Sequence, residues 1–130
     1  LKAFGAIDLM YDREAKLRWE DLRNLAPFQN IEGDLWRMSV KPSDGPEVYE
    51  KAGFITGFYD WAGGLIWGIT GHGKNPRFAL SSIDGHATRI RGENSKIAKF
   101  HPQSKLIAAI SAAIRHKFDP KGILNTGLMG

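Results

Sequence analysis

Three side chains in this 130-residue sequence have the type and setting to do chemistry. His86 follows the turn Asp84-Gly85 at the start of a β-rich run. There an imidazole can face a cleft and take a hydroxyl proton as a general base, or serve the structure alone. Arg37 alternates with Trp36 and Met38 along a strand-like run, so its side chain falls on the opposite face. A guanidinium fork in that position matches a carboxylate, or it is an exposed or structurally paired arginine. Asn125 has two amide donors and a carbonyl acceptor in a glycine-containing tail, which suits it to ligand contacts or to holding its own turn.

Other chemistries are excluded by what the chain lacks. There is no cysteine, hence no disulfide, thiolate or sulfur-ligated metal. His72, His101 and His116 show no helical i, i+4 pairing, so no metal is expected. Gly68-Ile69-Thr70-Gly71-His72-Gly73-Lys74 has the spacing of a phosphate-cradling loop. Asn75 follows where a magnesium-binding hydroxyl is needed, and Pro76 comes next, so ATP or GTP binding is not expected. The net charge of +4 permits an anionic partner without requiring one. Its concentration in two places, Arg89, Arg91, Lys96 and Lys99, and Lys105, Arg115 and Lys117, reads as a solvated basic face. No apolar run approaches the ~20 residues that cross a bilayer, and a cytoplasmic setting, at most peripheral to an inner membrane within a complex, is expected.

The elements that must position these side chains follow from periodicity. Asp12 is a candidate N-cap for a helix with Ala15, Trp19, Leu22 and Ala26 on one face, ended by Pro27. Residues 35–41 alternate as a strand. Ser43-Asp44-Gly45-Pro46 turns the chain into a short helix over 46–52. Phe54 to Tyr59 and Leu65 to Thr70 pair as a hairpin around Ala62-Gly63-Gly64, with Asp60 as a turn acceptor and Trp61 as packing. Pro76 opens a helical stretch through Ile83, and 86–91 is a fourth strand. The order β-α-β-β-α-β predicts an α+β, ferredoxin-like split βαβ antiparallel sheet with both helices on one face. An added C-terminal helix follows Pro102, with Leu106, Ile110, Ala113 and Ile114 as a buried stripe flanked by Ile107 and Phe118. Asp119-Pro120 stops it. The tail keeps Ile123, Leu124, Leu128 and Met129 apolar and is expected to fold against something. All 130 residues read as a single domain.

The tail, Asp119-Pro120-Lys121-Gly122-Ile123-Leu124-Asn125-Thr126-Gly127, resembles the Asp-Pro-x-Gly-Ile-x-Asn-Pro-Gly ending of FAD-linked oxidases of the vanillyl-alcohol oxidase superfamily. Leu35-Trp36-Arg37-Met38-Ser39, Asp60-Trp61-Ala62-Gly63-Gly64-Leu65-Ile66-Trp67 and Asp84-Gly85-His86-Ala87-Thr88-Arg89-Ile90-Arg91 are similar to segments of the FAD-binding subunits of bacterial glycolate oxidases (glycolate dehydrogenases). Phe100-His101-Pro102 fits the segment before their last helix. The chain differs at Thr126, where those proteins usually have proline, at Leu128, where they have arginine, and at Asp84, where they have glycine.

The resemblance spans residues 35–129 and implies the C-terminal cap of an FAD-dependent 2-hydroxy-acid oxidase. In that reading Asn125 contacts the flavin, Arg37 binds the substrate carboxylate and His86 is catalytic. FAD itself is held mainly by a separate N-terminal domain with a glycine-rich pyrophosphate segment, absent from this chain, which is expected to be a piece of something longer and inactive alone. The implied partners are that FAD-binding domain, other oxidase subunits and a small 2-hydroxy acid. An apolar docking face for the missing domain is expected near the tail and the second sheet face, with homo-oligomerisation if it is left bare. No nucleic-acid partner is expected. Two other classes compete: a ferredoxin-like module stacking single-stranded nucleic acid on Trp36, Phe58, Tyr59 and Trp67, and a non-catalytic assembly subunit.

Overall fold

A computed structural model describes residues 10–93 and 96–124, which divide into two compact units, Leu1–Ile31 and Glu32–Gly130. The first holds helix α1 (Asp12–Arg23) and a 3-10 turn, Ala26–Phe28. Asp12 does not cap α1. It is the first helical residue with φ 48°, and Tyr11 stands at the cap position without a side-chain hydrogen bond. No residue of α1 is buried and Trp19 is 66% exposed, because the short 3-10 turn is too small to cover the helix's apolar face within this unit.

The second unit contains β1 (Asp34–Val40), α2 (Gly45–Ala52), β2 (Thr56–Asp60), β3 (Leu65–Thr70), a 3-10 turn at Pro76–Leu80, β4 (Gly85–Arg91) and α3 (Lys105–Phe118). The four strands form one antiparallel sheet in the order β2-β3-β1-β4. This is the split βαβ arrangement that the alternation and turns predict. The predicted second helix is instead a five-residue 3-10 turn, opened by Pro76 with the Asn75 side chain accepting from the Arg77 N–H.

The sheet's two faces divide the strand residues by parity. Trp36, Met38 and Val40 of β1, Ile66 of β3 and Ala87 of β4 pack with Val48 and Ala52 of α2 and with Ala79 and Leu80 of the 3-10 turn. Gly68 leaves room for the Phe54 ring, which a Cβ there would meet at 2.5 Å. The Trp36 indole N–H donates to the Thr70 hydroxyl, 3.2 Å, closing the interior end of the core. At the rim Tyr49 packs on Phe54 and Tyr59 with ring centroids 5.6 and 5.2 Å apart.

Arg77 fastens this layer. Its Nε and Nη2 donate to the Ala87 carbonyl at 3.2 and 3.1 Å, and Nη2 also reaches the carbonyls of Ala98 (2.8 Å) and Lys99 (3.1 Å). The guanidinium lies 4.9 Å from the Trp36 ring centroid. Burial and the nearby Arg89 hold its pKa below the ordinary arginine value. The connector it grips covers the outer edge of β4: the Arg89 N–H donates to the Lys99 carbonyl, 2.8 Å, and the Ala87 N–H to His101 Nδ1, 3.2 Å. An edge strand covered in this way is blunted against pairing with another chain. Arg89 itself is only 8% exposed, so the predicted solvated basic face loses one member to the interior.

The predicted buried stripe of α3 is corrected. No residue of α3 is buried, and Leu106, Ile107, Ile110, Ile114 and Phe118 are 72, 49, 49, 53 and 83% exposed. The sheet's helix-bearing face is already taken by α2 and the 3-10 turn, which leaves α3 nothing to bury against there. Ser104 caps α3 by accepting from the Ile107 N–H, 3.4 Å. Ile123 and Leu124 are exposed too, contrary to the expectation of a tail folded down, although Asp119 fixes their backbone by accepting both N–H groups at 3.0 and 2.7 Å.

Candidate functional site

Arg37 and His86 lie on the sheet face turned away from α2. Arg37 stands opposite Trp67 on β3 and Thr88 on β4, and Ser39 stands opposite His86. Arg37 and His86 are therefore diagonal neighbours on adjacent strands, roughly 7–8 Å apart along the sheet. Period-two alternation puts Arg37 there, and a bulge between Leu35 and Trp36 on the β1–β4 ladder leaves the pairing of Arg37 and Ser39 in step. Asn125 lies outside the described residues, so its predicted flavin contact has no place in this geometry.

The Arg37 guanidinium lies over two indoles, 5.4 Å from the Trp61 ring centroid and 5.9 Å from that of Trp67. It leans toward the β2–β3 hairpin and so away from β4. Among the described residues it has no carboxylate partner and no hydrogen bond; its neighbours are aromatic. Such cation–π contacts orient the guanidinium and leave its N–H edge available for an anion. His86 is exposed, and among the described residues its imidazole has no hydrogen-bond partner. It contributes, after burial and Arg77, to holding His101 below the ordinary histidine pKa.

The hairpin that carries Trp61 is unusual. Asp60 acts as the predicted turn acceptor, taking the Trp61 N–H at 2.7 Å. Trp61 and Ala62 both adopt left-handed backbone angles, with φ 50° and 53°. The Trp61 indole does not pack inward, as predicted, but is 65% exposed above the sheet. Sequence reading missed this pairing of Trp61 with Arg37. The signal that could have found it is the pair of non-glycine residues, Trp61-Ala62, at a hairpin turn where left-handed angles favour glycine or asparagine.

The phosphate-loop spacing at Gly68–Lys74 is occupied otherwise. Gly68 belongs to β3, and the Gly73 N–H donates to Asp34 Oδ2 at 3.0 Å, so the loop grips a buried carboxylate. Among the described residues Asp34 Oδ1 has no hydrogen-bond partner, and it faces His72 Nδ1 at 3.6 Å, a contact that becomes an ion pair when His72 is protonated. Among the described residues no three histidine or acidic side chains gather as a metal site, and no helix is long and apolar enough to cross a membrane. The aromatics that a nucleic-acid platform would use are divided: Trp36 is fully buried under α2, Tyr59 stacks on Tyr49, and Phe58 and Trp67 share the other face.

No protein family, curated protein or solved structure matches this chain.

Proposed function

We propose that this chain is the C-terminal cap of an FAD-dependent 2-hydroxy-acid oxidase of the glycolate oxidase type, in which Arg37 binds the substrate carboxylate. The observation that carries the reading is the Arg37 fork, laid across Trp61 and Trp67 with no carboxylate partner among the described residues. A bidentate carboxylate completes such a fork with two charge-assisted hydrogen bonds. His86, on the same face and the neighbouring strand, takes the role of base, with a neutral imidazole nitrogen accepting the substrate hydroxyl proton.

In this reading a separate domain holds the nucleotide end of FAD; the Gly73 N–H, in the loop with phosphate spacing, is given to Asp34. The flavin, when bound, supplies the hydride acceptor. The apolar side of α3 and the exposed Ile123 and Leu124 are surface of the kind a docked FAD-binding domain covers, in an interface of ~600–1,500 Å².

The test is steady-state oxidation by the flavin-loaded protein that contains this chain. Arg37→Ala raises KM for the hydroxy acid roughly 30-fold or more. His86→Ala lowers kcat, typically 10²- to 10⁴-fold for a lost general base. Both variants keep their melting temperatures within a few degrees, and Asn125→Ala loses flavin on gel filtration. An unchanged KM in Arg37→Ala removes the site assignment.

A further inference from the structure

The exposed indole of Trp61 answers a question that the carboxylate site leaves open, namely what the rest of the substrate looks like. Trp61 stands 65% exposed at the hairpin tip. It is also held in a backbone conformation that side chains disfavour, followed by a second residue in the same region, Ala62. Asp60 locks the arrangement by taking the Trp61 N–H at 2.7 Å. Glycine at position 61 would relieve the strain and lose only the indole. Backbone strain retained where a simpler residue would fit points to the side chain it presents.

That side chain lies over the Arg37 guanidinium, 5.4 Å from its carbon to the ring centroid, with Trp67 at 5.9 Å. Phe58 stands opposite Trp67 on β2 and is half-buried on the same face. A carboxylate paired with the fork therefore has its organic portion beside aromatic surface. A one-carbon body gains little from that surface, whereas a flat or bulky one stacks on the indole and excludes water from the ion pair, strengthening it.

From this we infer that Trp61 is a specificity-determining residue and that the carboxylate taken at Arg37 carries an aromatic or large apolar group, as in an aryl-substituted 2-hydroxy acid. The inference rests on the reading of Arg37 as a carboxylate site. The indole contributes contact with the apolar portion, and Arg37 contributes the charge.

The experiment titrates the anaerobic, flavin-loaded protein that contains this chain with mandelate, 3-phenyllactate and glycolate, following backbone amide and indole N–H shifts by NMR. The expected result is tighter binding of the two aryl acids than of glycolate, with the largest shifts at Trp61, Trp67 and Arg37. Trp61→Ala weakens the aryl acids about three- to tenfold more than it weakens glycolate, and Trp61→Phe restores most of the loss. Equal affinity for all three acids in the wild-type chain, or an equal loss for all three in Trp61→Ala, overturns the role of Trp61 and leaves the carboxylate site standing. If none of the acids binds, or if Arg37→Ala binds them as well as the wild type, the carboxylate reading itself fails and takes this inference with it.

Discussion

Replacing Arg77 by alanine should cost about 2–4 kcal/mol of stability. The figure comes from three sources. Two N–H groups of one nitrogen and the Nε–H together serve the carbonyls of Ala87, Ala98 and Lys99. Hydrogen bonds from a charged donor are worth about 1.5–3 kcal/mol each, but Arg77 is only partly buried and its carbonyls on the connector can turn to water, so the sum is heavily discounted. The guanidinium's place over the Trp36 ring adds about 1 kcal/mol, and the cost of withdrawing the charge from water, visible in its lowered pKa, subtracts from the total. For a unit of this size the melting temperature should fall by roughly 10–20 °C. Arg77→Lys should recover less than half, because one ammonium cannot span three carbonyls on two segments. Urea unfolding followed by tryptophan fluorescence measures the loss, and hydrogen exchange at the Arg89 amide reports whether the connector has lifted from β4. Arg37→Ala is the control, since that arginine touches two indoles and makes no hydrogen bond among the described residues. An Arg77→Ala loss below about 1 kcal/mol, or one no larger than that of Arg37→Ala, would refute the account of Arg77 as a fastening.

Three further outcomes are expected. His101 accepts the Ala87 N–H and titrates below its ordinary 6.5 because of burial, Arg77 and His86, so its contribution is complete above that value and is lost as pH falls through the folded-state pKa. His101→Gln should flatten the fall in melting temperature below pH 6.5, and an unchanged slope would contradict this. Asp119 is held below its ordinary 3.8 by the Leu124 and Ile123 N–H groups, so the turn after α3 should persist above that value and open as pH falls through the lower folded value. Amide shifts of Ile123 and Leu124 would show it, and an Asp119→Ala chain with the same shifts as the wild type at neutral pH would count against it. Ala62→Gly should raise stability by about 1 kcal/mol in urea titrations by relieving a left-handed residue, and a loss of stability would mean that the methyl group packs usefully.

Much of the sheet was legible because strand alternation needs only nearest neighbours in the sequence. Trp36, Met38 and Val40 against Arg37 and Ser39 set the faces of β1, and Asp60 and Gly63 marked the hairpin. What could not be read depended on segments far apart in the chain. Arg77 looks like a surface arginine after Pro76, and its role exists only where β4 and residues 98–99 converge on it. Asp34 and His72 approach only through the β1–β3 register. The amphipathic pattern of α3 identified its apolar side, but a periodic stripe says that a face can be covered and not by what, and within this unit α2 and the 3-10 turn had already filled the sheet's helix-bearing face. At the site, parity placed Arg37 on the correct face, while the indole of Trp61 above it required the left-handed turn that no local propensity favours.

The most direct measurement of the central claim is anaerobic absorbance spectroscopy on the protein that contains this chain, purified with its flavin domain. The expected result is an FAD spectrum that bleaches on adding a 2-hydroxy acid, with one equivalent of 2-oxo acid formed per flavin and bleaching that needs roughly 30-fold more acid in Arg37→Ala. A protein that carries no flavin, or a flavin that stays oxidised with every 2-hydroxy acid offered, would contradict it.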